Sequence, residues 1–207
     1  MRIEWYFDFI SPYAFLQCHD LPALAGHHTV VYRPVLFAGL LKHWGQLGPA
    51  EIPPKREFTY RHCLWLARQR GVELRAPQGH PFNPLPLLRL AIAAGAGAEC
   101  VRRIFDYVWC ERGELTPGAG IDALAAEFGV DAALDTATPA VKQTLRDNGE
   151  RAIAAGVFGV PTVVADGRVL WGQDAPAMLA SIEADPALFA GIEAESAALS
   201  PLAERRR

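Results

Sequence analysis

The chain has 207 residues, of which 51% are hydrophobic, and a formal net charge of −3. This length is enough for one sizeable core, or for a core that carries an inserted domain. The small net charge gives no electrostatic reason to expect nucleic acid or an anionic membrane as a partner, and no apolar stretch is long enough to span a bilayer.

The chain begins with a predicted strand that runs directly into a predicted helix. Residues 3–10 are mostly aromatic or β-branched, which favours a strand buried on both faces. Ser11 is a preferred N-cap and Pro12 suits the first helical position, and we expect this helix to end near Gly26. A second strand is predicted at residues 29–33, which completes a βαβ unit with parallel strands.

The middle of the chain is predicted to be helical. Strand patterns are absent from about residue 37 to residue 155, and two stretches rich in Gly and Pro, residues 45–54 and 71–84, predict irregular loops. Five segments have the composition or apolar spacing of helices. These predicted helices cover about residues 55–70, 85–94, 101–109, 121–128 and 140–155.

Strand character returns towards the end of the sequence. Residues 162–165 and 169–171 predict two strands, joined by the dipeptide Asp166–Gly167, which is typical of a hairpin turn. A last core helix is predicted through Ile182. The tail, which ends in three arginines at residues 205–207, is expected to be exposed, and we assign it no function.

The order β-α-β, a helical block, then β-β-α predicts an α/β fold with a thioredoxin-like core and an inserted all-helical domain. The expected thioredoxin-like domain comprises residues 1–36 and 156–207, and the expected helical domain comprises residues 37–155. In that fold the loop before the third strand ends in a proline that follows a cis peptide bond. The Val160–Pro161 bond is therefore predicted to be cis.

The hydroxyl of Ser11 has two interpretations. As a helix cap it would contribute about 1 kcal/mol to stability. As a site residue, at the positive end of a helix, it could hold an anion such as a thiolate. No His or Lys is close in sequence to act as a base, so we do not expect Ser11 to be a nucleophile.

The four cysteines are not spaced as a redox or zinc motif. Cys18, Cys63, Cys100 and Cys110 contain no C-x-x-C pair. The predicted strand begins at residue 3 and leaves no room for a signal peptide, so a reduced, cytoplasmic protein is expected. Cys18 is expected to be a small buried apolar residue.

Several motifs together resemble one family. They are Tyr6–Tyr13 (YFDFISPY), Pro53–Lys55 (PPK), Pro81–Pro84 (PFNP), Val157–Thr162 (VFGVPT) and Trp171–Asp174 (WGQD). In this combination the chain resembles the 2-hydroxychromene-2-carboxylate isomerases, which are grouped with kappa-class glutathione transferases and, more distantly, with DsbA-type disulfide oxidoreductases. The similarity extends over most of the chain.

The resemblance implies a glutathione site. Ser11 would face the sulfur of bound glutathione, and the backbone of Val160, beside Pro161, would pair with its cysteinyl part. The γ-glutamyl end would be held by Gln173 and Asp174. No metal is implied.

The resemblance also implies substrate contacts, with two departures from the family pattern. Lys55 matches a lysine near the glycine carboxylate of glutathione or near the substrate. Ala175 stands where the family often has Arg, and His62 where it often has Asp. His80 and Asn83 are further candidates for substrate contact, and the alternative for both is a structural role in a Pro-rich loop.

Other polar and aromatic residues are weaker candidates. The pair His27–His28 lacks further ligands at zinc spacing and is expected to lie on the surface. Trp44 and Tyr60 could line an aromatic pocket or belong to the core.

The function implied by the resemblance is glutathione-dependent cis–trans isomerisation of 2-hydroxychromene-2-carboxylate or a similar aromatic 2-oxo acid, in the degradation of aromatic compounds. The expected protein is a cytoplasmic homodimer that uses glutathione. A kappa-like glutathione transferase that conjugates electrophiles is the nearest alternative. A relative of the DsbA-type oxidoreductases and a glutathione-binding module without catalysis are further alternatives.

Overall fold

The structure, a computed structural model, describes residues 1–199, so the three terminal arginines lie outside the described residues. Four strands form one mixed sheet in the order β2-β1-β3-β4. β1 runs parallel to β2 and antiparallel to β3, and β3 runs antiparallel to β4. The strands are β1 (Arg2–Phe7), β2 (Thr29–Pro34), β3 (Thr162–Ala165) and β4 (Arg168–Trp171).

Helices account for most of the rest of residues 1–199. Their bounds are α1 (Pro12–Cys18), α2 (Leu21–Ala25), α3 (Phe37–Trp44), α4 (Pro53–Arg70), α5 (Leu85–Ala93), α6 (Ala98–Trp109), α7 (Ala119–Ala126), α8 (Pro139–Ala154), α9 (Ala175–Ala184) and α10 (Pro186–Leu199), with a short 3₁₀ helix at Pro49–Glu51. Helices α3 to α8 all lie between β2 and β3 in the chain. This confirms the predicted thioredoxin-like order of elements with a helical insertion. In the described part of the chain no helix is both long and apolar enough to cross a membrane.

β1 is buried on both faces, as its composition predicted. Trp5 and Phe7 point to one face of the sheet, where their rings stack with centroids 4.4 Å apart, and Tyr6 points to the other face. All three side chains are fully buried. A strand in this position at the centre of the sheet orders the loop that follows it.

The insertion packs directly on the sheet. Phe105 of α6 lies 5.7 Å from the ring of Phe7, and Trp109 donates its indole N–H to the carbonyl of Phe9 at 2.9 Å. Sheet and helices therefore share the apolar core on this face of β1. The division into separate domains at residues 36 and 156 stays a prediction.

The first helix is shorter than predicted. It ends at Cys18, and tight turns at His19 and Asp20, whose N–H groups bond to the carbonyls of residues 16 and 17, separate it from α2. Pro22 explains the break, because a proline has no N–H to bond the Cys18 carbonyl and its ring would clash there. The second strand extends one residue further than predicted, since Pro34 pairs with Phe7.

The described chain ends in a helix that was not predicted. The core helix through Ile182 is present as α9. The residues that follow it were expected to be exposed, and they form α10, which has no buried residue. Pro186, at the start of α10, suits the first turn of a helix and separates it from α9. Phe189 of α10 packs at the edge of the main core.

Candidate active site

A cavity of about 530 Å³ lies between the end of β1 and the helical insertion. One side, which we call the strand-end wall, consists of Asp8, Ile10, Ser11, Gly159, Val160 and Trp171. A second group of lining residues, which we call the helical wall, includes Lys55, Arg56, Tyr60 and His80. Both groups of residues line the same space, although they are far apart in the sequence.

Ser11 is a helix cap and also faces the cavity. Its Oγ accepts a hydrogen bond from the N–H of Ala14 at 3.2 Å, which confirms the capping role. The serine is 7% exposed, and in the described chain no acceptor takes its O–H. α1 has only seven residues, so we do not expect its macrodipole by itself to bind an anion. At this end of the helix, the Ser11 hydroxyl is the group that can donate to an anion.

Val160 and Pro161 form the loop before β3. The Val160–Pro161 peptide bond is cis, as predicted, and so is His80–Pro81, which was not predicted. Within residues 1–199 the backbone N–H and C=O of Val160 take part in no hydrogen bond. Val160 lines the cavity, so these groups can pair with an extended peptide.

Gly159, next to Val160, leaves space for the indole ring of Trp171. A Cβ atom at this position would lie 2.7 Å from Nε1 of Trp171, closer than van der Waals contact permits. The absence of a side chain therefore lets the indole of Trp171 form part of the strand-end wall.

Gln173 and Asp174 follow β4 and lie next to α1. The side-chain amide of Gln173 donates to the backbone carbonyl of Tyr13, whereas its Oε1 is buried and has no partner among the described residues. Asp174 is exposed at the start of α9. Neither residue lines the cavity itself. Ala175 is fully buried, so this position offers no cation where the family pattern often has Arg.

Two cations lie on the helical wall. Lys55 and Arg56 are both exposed on the first turns of α4 and both line the cavity. Sequence reasoning selected Lys55 and missed Arg56, although the two are adjacent. A carboxylate entering the cavity would meet both positive charges.

His80 and Tyr60 form a hydrogen-bonded pair on the helical wall. The Tyr60 hydroxyl lies 2.6 Å from Nδ1 of His80, and Nε2 of His80 lies 2.8 Å from the carbonyl oxygen of Ile10. Burial lowers the pKa of His80 below its usual value and raises that of Tyr60. Both side chains line the cavity. Of the two interpretations of His80, the structure therefore favours a residue that lines the site. Tyr60 likewise belongs to the pocket rather than to the core.

Asp8 is a buried carboxyl that sequence reasoning missed. Its Oδ1 accepts from the N–H of Ile10 at 3.2 Å, and its Oδ2 accepts from the N–H of Phe37, the first residue of α3, at 2.8 Å. The carboxyl group is fully buried, and this desolvation raises its pKa to about 7. Asp8 lines the cavity and joins the strand-end wall to the insertion.

Three other predicted residues lie outside the cavity lining. Asn83 is exposed, and its Oδ1 accepts from the N–H of Leu85 at the start of α5. His62 lies 2.9 Å from the hydroxyl of Tyr13. Trp44 is neither core nor pocket: it is 43% exposed and donates to the carbonyl of Val157.

His27 lies on the surface, as expected for the His27–His28 pair, but the His28 side chain is buried. The His28 side chain is 5% exposed and lies 3.4 Å from Glu183 of α9. Helix α9 covers this ring, and its position depends on the sheet, so sequence spacing could not reveal it.

The cysteines do not form a redox site. All four are free; Cys18, Cys63 and Cys100 are buried, and Cys110 is half-buried. Cys18 is 4% exposed, which confirms its prediction as a small apolar residue. Burial raises the pKa of the Cys18 and Cys63 thiols to about 12 and that of Cys100 and Cys110 to about 11. None of them is therefore a reactive thiolate near neutral pH.

Comparison with curated proteins identifies relatives of two kinds. The chain is 29% identical over 188 residues to "2-hydroxychromene-2-carboxylate isomerase" of Sphingobium xenophagum, and this alignment covers 83% of the chain and 92% of that protein. It is 25% identical over 202 residues to "Glutathione S-transferase kappa 1" of Homo sapiens, and that alignment covers 87% of the chain and 89% of the human protein.

Solved structures show the same fold. A structure described as 2-hydroxychromene-2-carboxylate isomerase superposes with a TM-score of 0.72 at 24% identity and covers 97% of this chain and all of that one. The cytosolic disulfide reductase DsbM from Pseudomonas aeruginosa, solved with GSH, superposes with a TM-score of 0.59 at 16% identity and covers 82% of this chain and 88% of that one.

A family model supports the same assignment. The model of the DSBA-like thioredoxin domain matches residues 2–182, which include all four strands and helices α1 to α8. The chain therefore belongs to the family of DSBA-like thioredoxin domains.

Proposed function

We propose that this protein is a glutathione-dependent isomerase that acts on 2-hydroxychromene-2-carboxylate or a similar aromatic 2-oxo acid. One observation carries the proposal. A single cavity is lined by a hydroxyl at Ser11, an unpaired backbone at Val160 and two cations, Lys55 and Arg56. The first pair suits a thiol peptide, and the second suits a carboxylate.

The residues present fit glutathione. The free N–H and C=O of Val160 would pair with its cysteinyl unit, beside Pro161, and the free O–H of Ser11 would donate to its sulfur. The buried, unpartnered Oε1 of Gln173 and the exposed carboxylate of Asp174 would accept from the γ-glutamyl ammonium. Ala175 supplies no cation, so this end would be held by fewer contacts than in relatives with Arg there.

The chemistry requires a sulfur that can add and leave. When bound, glutathione would supply a thiolate that adds reversibly to the conjugated alkene, which permits rotation about that carbon–carbon bond. Ser11 would keep the sulfur ionised by donating a hydrogen bond. Lys55 and Arg56 would hold the oxo-acid end, where negative charge develops, and stabilisation of that charge is usually the largest catalytic effect.

The test is a thiol balance. Conversion of 2-hydroxychromene-2-carboxylate is followed with limiting glutathione, and free thiol is measured beside product. Many turnovers for each glutathione, with no loss of thiol, are expected. Loss of one thiol for each product would instead mean conjugation, and the kappa-like transferase would replace the isomerase as the function.

A disulfide oxidoreductase is the alternative from another class. The four buried or half-buried cysteines, with their raised pKa values, favour no such activity. Insulin reduction coupled to glutathione is the direct check, and we expect no turnover above the uncatalysed rate. Turnover that survives Cys18→Ala would replace the isomerase with a glutathione-dependent reductase.

We also propose that the protein is a cytoplasmic homodimer in aromatic degradation. The exposed apolar residues Phe58, Leu64 and Trp65 on α4 support an interface, since exposed clusters of this kind often mark one. Sedimentation of the purified protein should give twice the chain mass, and Trp65→Glu should give the monomer mass.

A further inference from the structure

The hydrogen bonds of His80 fix which of its ring nitrogens carries the proton. A backbone carbonyl oxygen can only accept, so Nε2 of His80 must donate to the Ile10 carbonyl, 2.8 Å away. In the neutral ring Nδ1 then has a lone pair and accepts from the Tyr60 hydroxyl at 2.6 Å. The remaining lone pair of the Tyr60 oxygen is thus available to a donor in the cavity.

The surroundings of the pair keep this arrangement rigid. The His80 ring lies 5.4 Å from the fully buried ring of Trp109 and 6.0 Å from that of Phe82. Its partial burial lowers the pKa of the imidazole, which favours the neutral ring. Tyr60 is on α4, Ile10 follows β1, and His80 is in the loop before α5, so three elements of the fold hold the pair.

We propose that Tyr60 and His80 form a proton relay that takes the proton of the substrate's hemiketal hydroxyl and returns it to the aryl oxygen. The inference rests on the proposed function, because 2-hydroxychromene-2-carboxylate carries its hydroxyl and its ring oxygen on one carbon. One acceptor can therefore reach both oxygens in turn.

The relay takes up one proton and returns one proton, so it is unchanged after each reaction. The hemiketal O–H bond breaks as its proton passes to the Tyr60 oxygen, and the former Tyr60 proton moves to Nδ1 of His80. The bond from the hemiketal carbon to the ring oxygen then breaks, its electron pair goes to the aryl oxygen, and the hydroxyl oxygen becomes the ketone. The imidazolium, stabilised by the Ile10 carbonyl, returns its proton through Tyr60 to the aryl oxygen.

Other charged groups line the same cavity as the pair. They are Arg56 and Lys55 on α4, Asp8 after β1 and Glu51 of the 3₁₀ helix. A nearby cation disfavours the imidazolium, whereas a nearby ionised carboxylate favours it. The pH profile of the relay therefore reflects these neighbours as well as His80.

The test compares two substrates. The first is the hemiketal, and the second is the aryl methyl ether of the ring-opened cis 2-oxo acid, which requires rotation but no transfer of an aryl proton. Tyr60→Phe and His80→Gln should each lower kcat/KM for the hemiketal by about 100-fold and for the ether by less than threefold. The double variant should lose no more than either single variant, because both residues serve one step.

Control variants and a second readout complete the design. Tyr32→Phe and His27→Gln alter residues outside the cavity lining and should leave both activities unchanged. Nitrogen NMR of the glutathione-free protein should show the Nε2–H tautomer of His80, and the Nδ1–H tautomer would overturn the relay.

The outcomes separate the two proposals. If the wild type converts both substrates and the variants lose both equally, or neither, the relay is overturned and the isomerase stands. If the wild type converts neither substrate with glutathione, the proposed function fails, and the relay fails with it.

Discussion

The two walls of the cavity present different kinds of group. The strand-end wall offers a small hydroxyl and backbone N–H and C=O groups, at Ser11 and Val160. The helical wall offers long side chains, and its central pair, Tyr60 and His80, is built from contacts 20 and 70 residues apart in sequence. For the proposed isomerase, groups fixed by the backbone would suit the constant ligand, glutathione, whereas side chains on an insertion can change with the substrate. Cofactor and substrate recognition would then be encoded separately in one cavity.

Asp8 gives the largest expected effect, because its buried carboxyl group joins the strand-end wall to α3 of the insertion through Ile10 and Phe37. Burial raises its pKa from 3.8 to about 7, so the folded protein keeps a proton that the unfolded chain has lost between those pH values. Its contribution to stability therefore falls as pH rises from about 4 to 7, by at most about 1.4 kcal/mol per pH unit. Asp8→Asn should remove this slope.

The measurement is the free energy of unfolding in urea, at intervals from pH 4 to pH 8. Asp122→Asn is the matched control, because Asp122 is exposed on α7, and it should keep the wild-type slope. Identical slopes for the wild type and Asp8→Asn would mean that the Asp8 carboxyl does not titrate in this range.

Lys55 tests the helical wall alone. Lys55→Ala should lower kcat/KM for the 2-oxo acid by about 100-fold, because a positioned charge at the oxo-acid end is lost. Glutathione affinity, measured by calorimetry, should change little if Lys55 serves the substrate. Arg61→Ala, on the same helix but outside the cavity lining, should leave both values unchanged. A loss of less than threefold in Lys55→Ala would assign the role to Arg56 instead.

Ser11 tests the strand-end wall and has the smallest expected effect. Ser11→Ala should raise the pKa of the bound glutathione thiol by about one unit, because one hydrogen bond to the thiolate is lost. The observable is the ultraviolet absorbance of the thiolate against pH. Ser11→Thr keeps a hydroxyl and should titrate like the wild type, as should Ser181→Ala, whose hydroxyl bonds only within α9. An unchanged titration in Ser11→Ala would mean that Ser11 acts only as a helix cap and does not lower the pKa of the thiol.

Sequence reasoning selected residues on both walls: Ser11 and Val160 on the strand-end wall, and Lys55 and His80 on the helical wall. The cap at Ser11 and the cis bond before Pro161 are recognisable because they depend on local backbone chemistry, whereas the site roles of Ser11 and Val160 came from the family resemblance. Asp8 was missed because its partner Phe37 lies 29 residues away, and its value as a titratable group comes from burial alone. The break after α1 was missed although Pro22 was visible, because the apolar pattern continued through it.

Patterns in the sequence predict the order of the four strands and the helical insertion between β2 and β3, and the resulting thioredoxin-like order predicts the cis bond at Val160–Pro161. The strands and the insertion follow from local propensity. Tertiary packing is required to bring His80 to Tyr60 and Ile10, to place His28 under α9, and to bring Arg56 and Ser11 into one cavity. The physical reason is that burial and long-range contacts, which set proton positions and pKa values, arise from packing and have no periodicity along the chain.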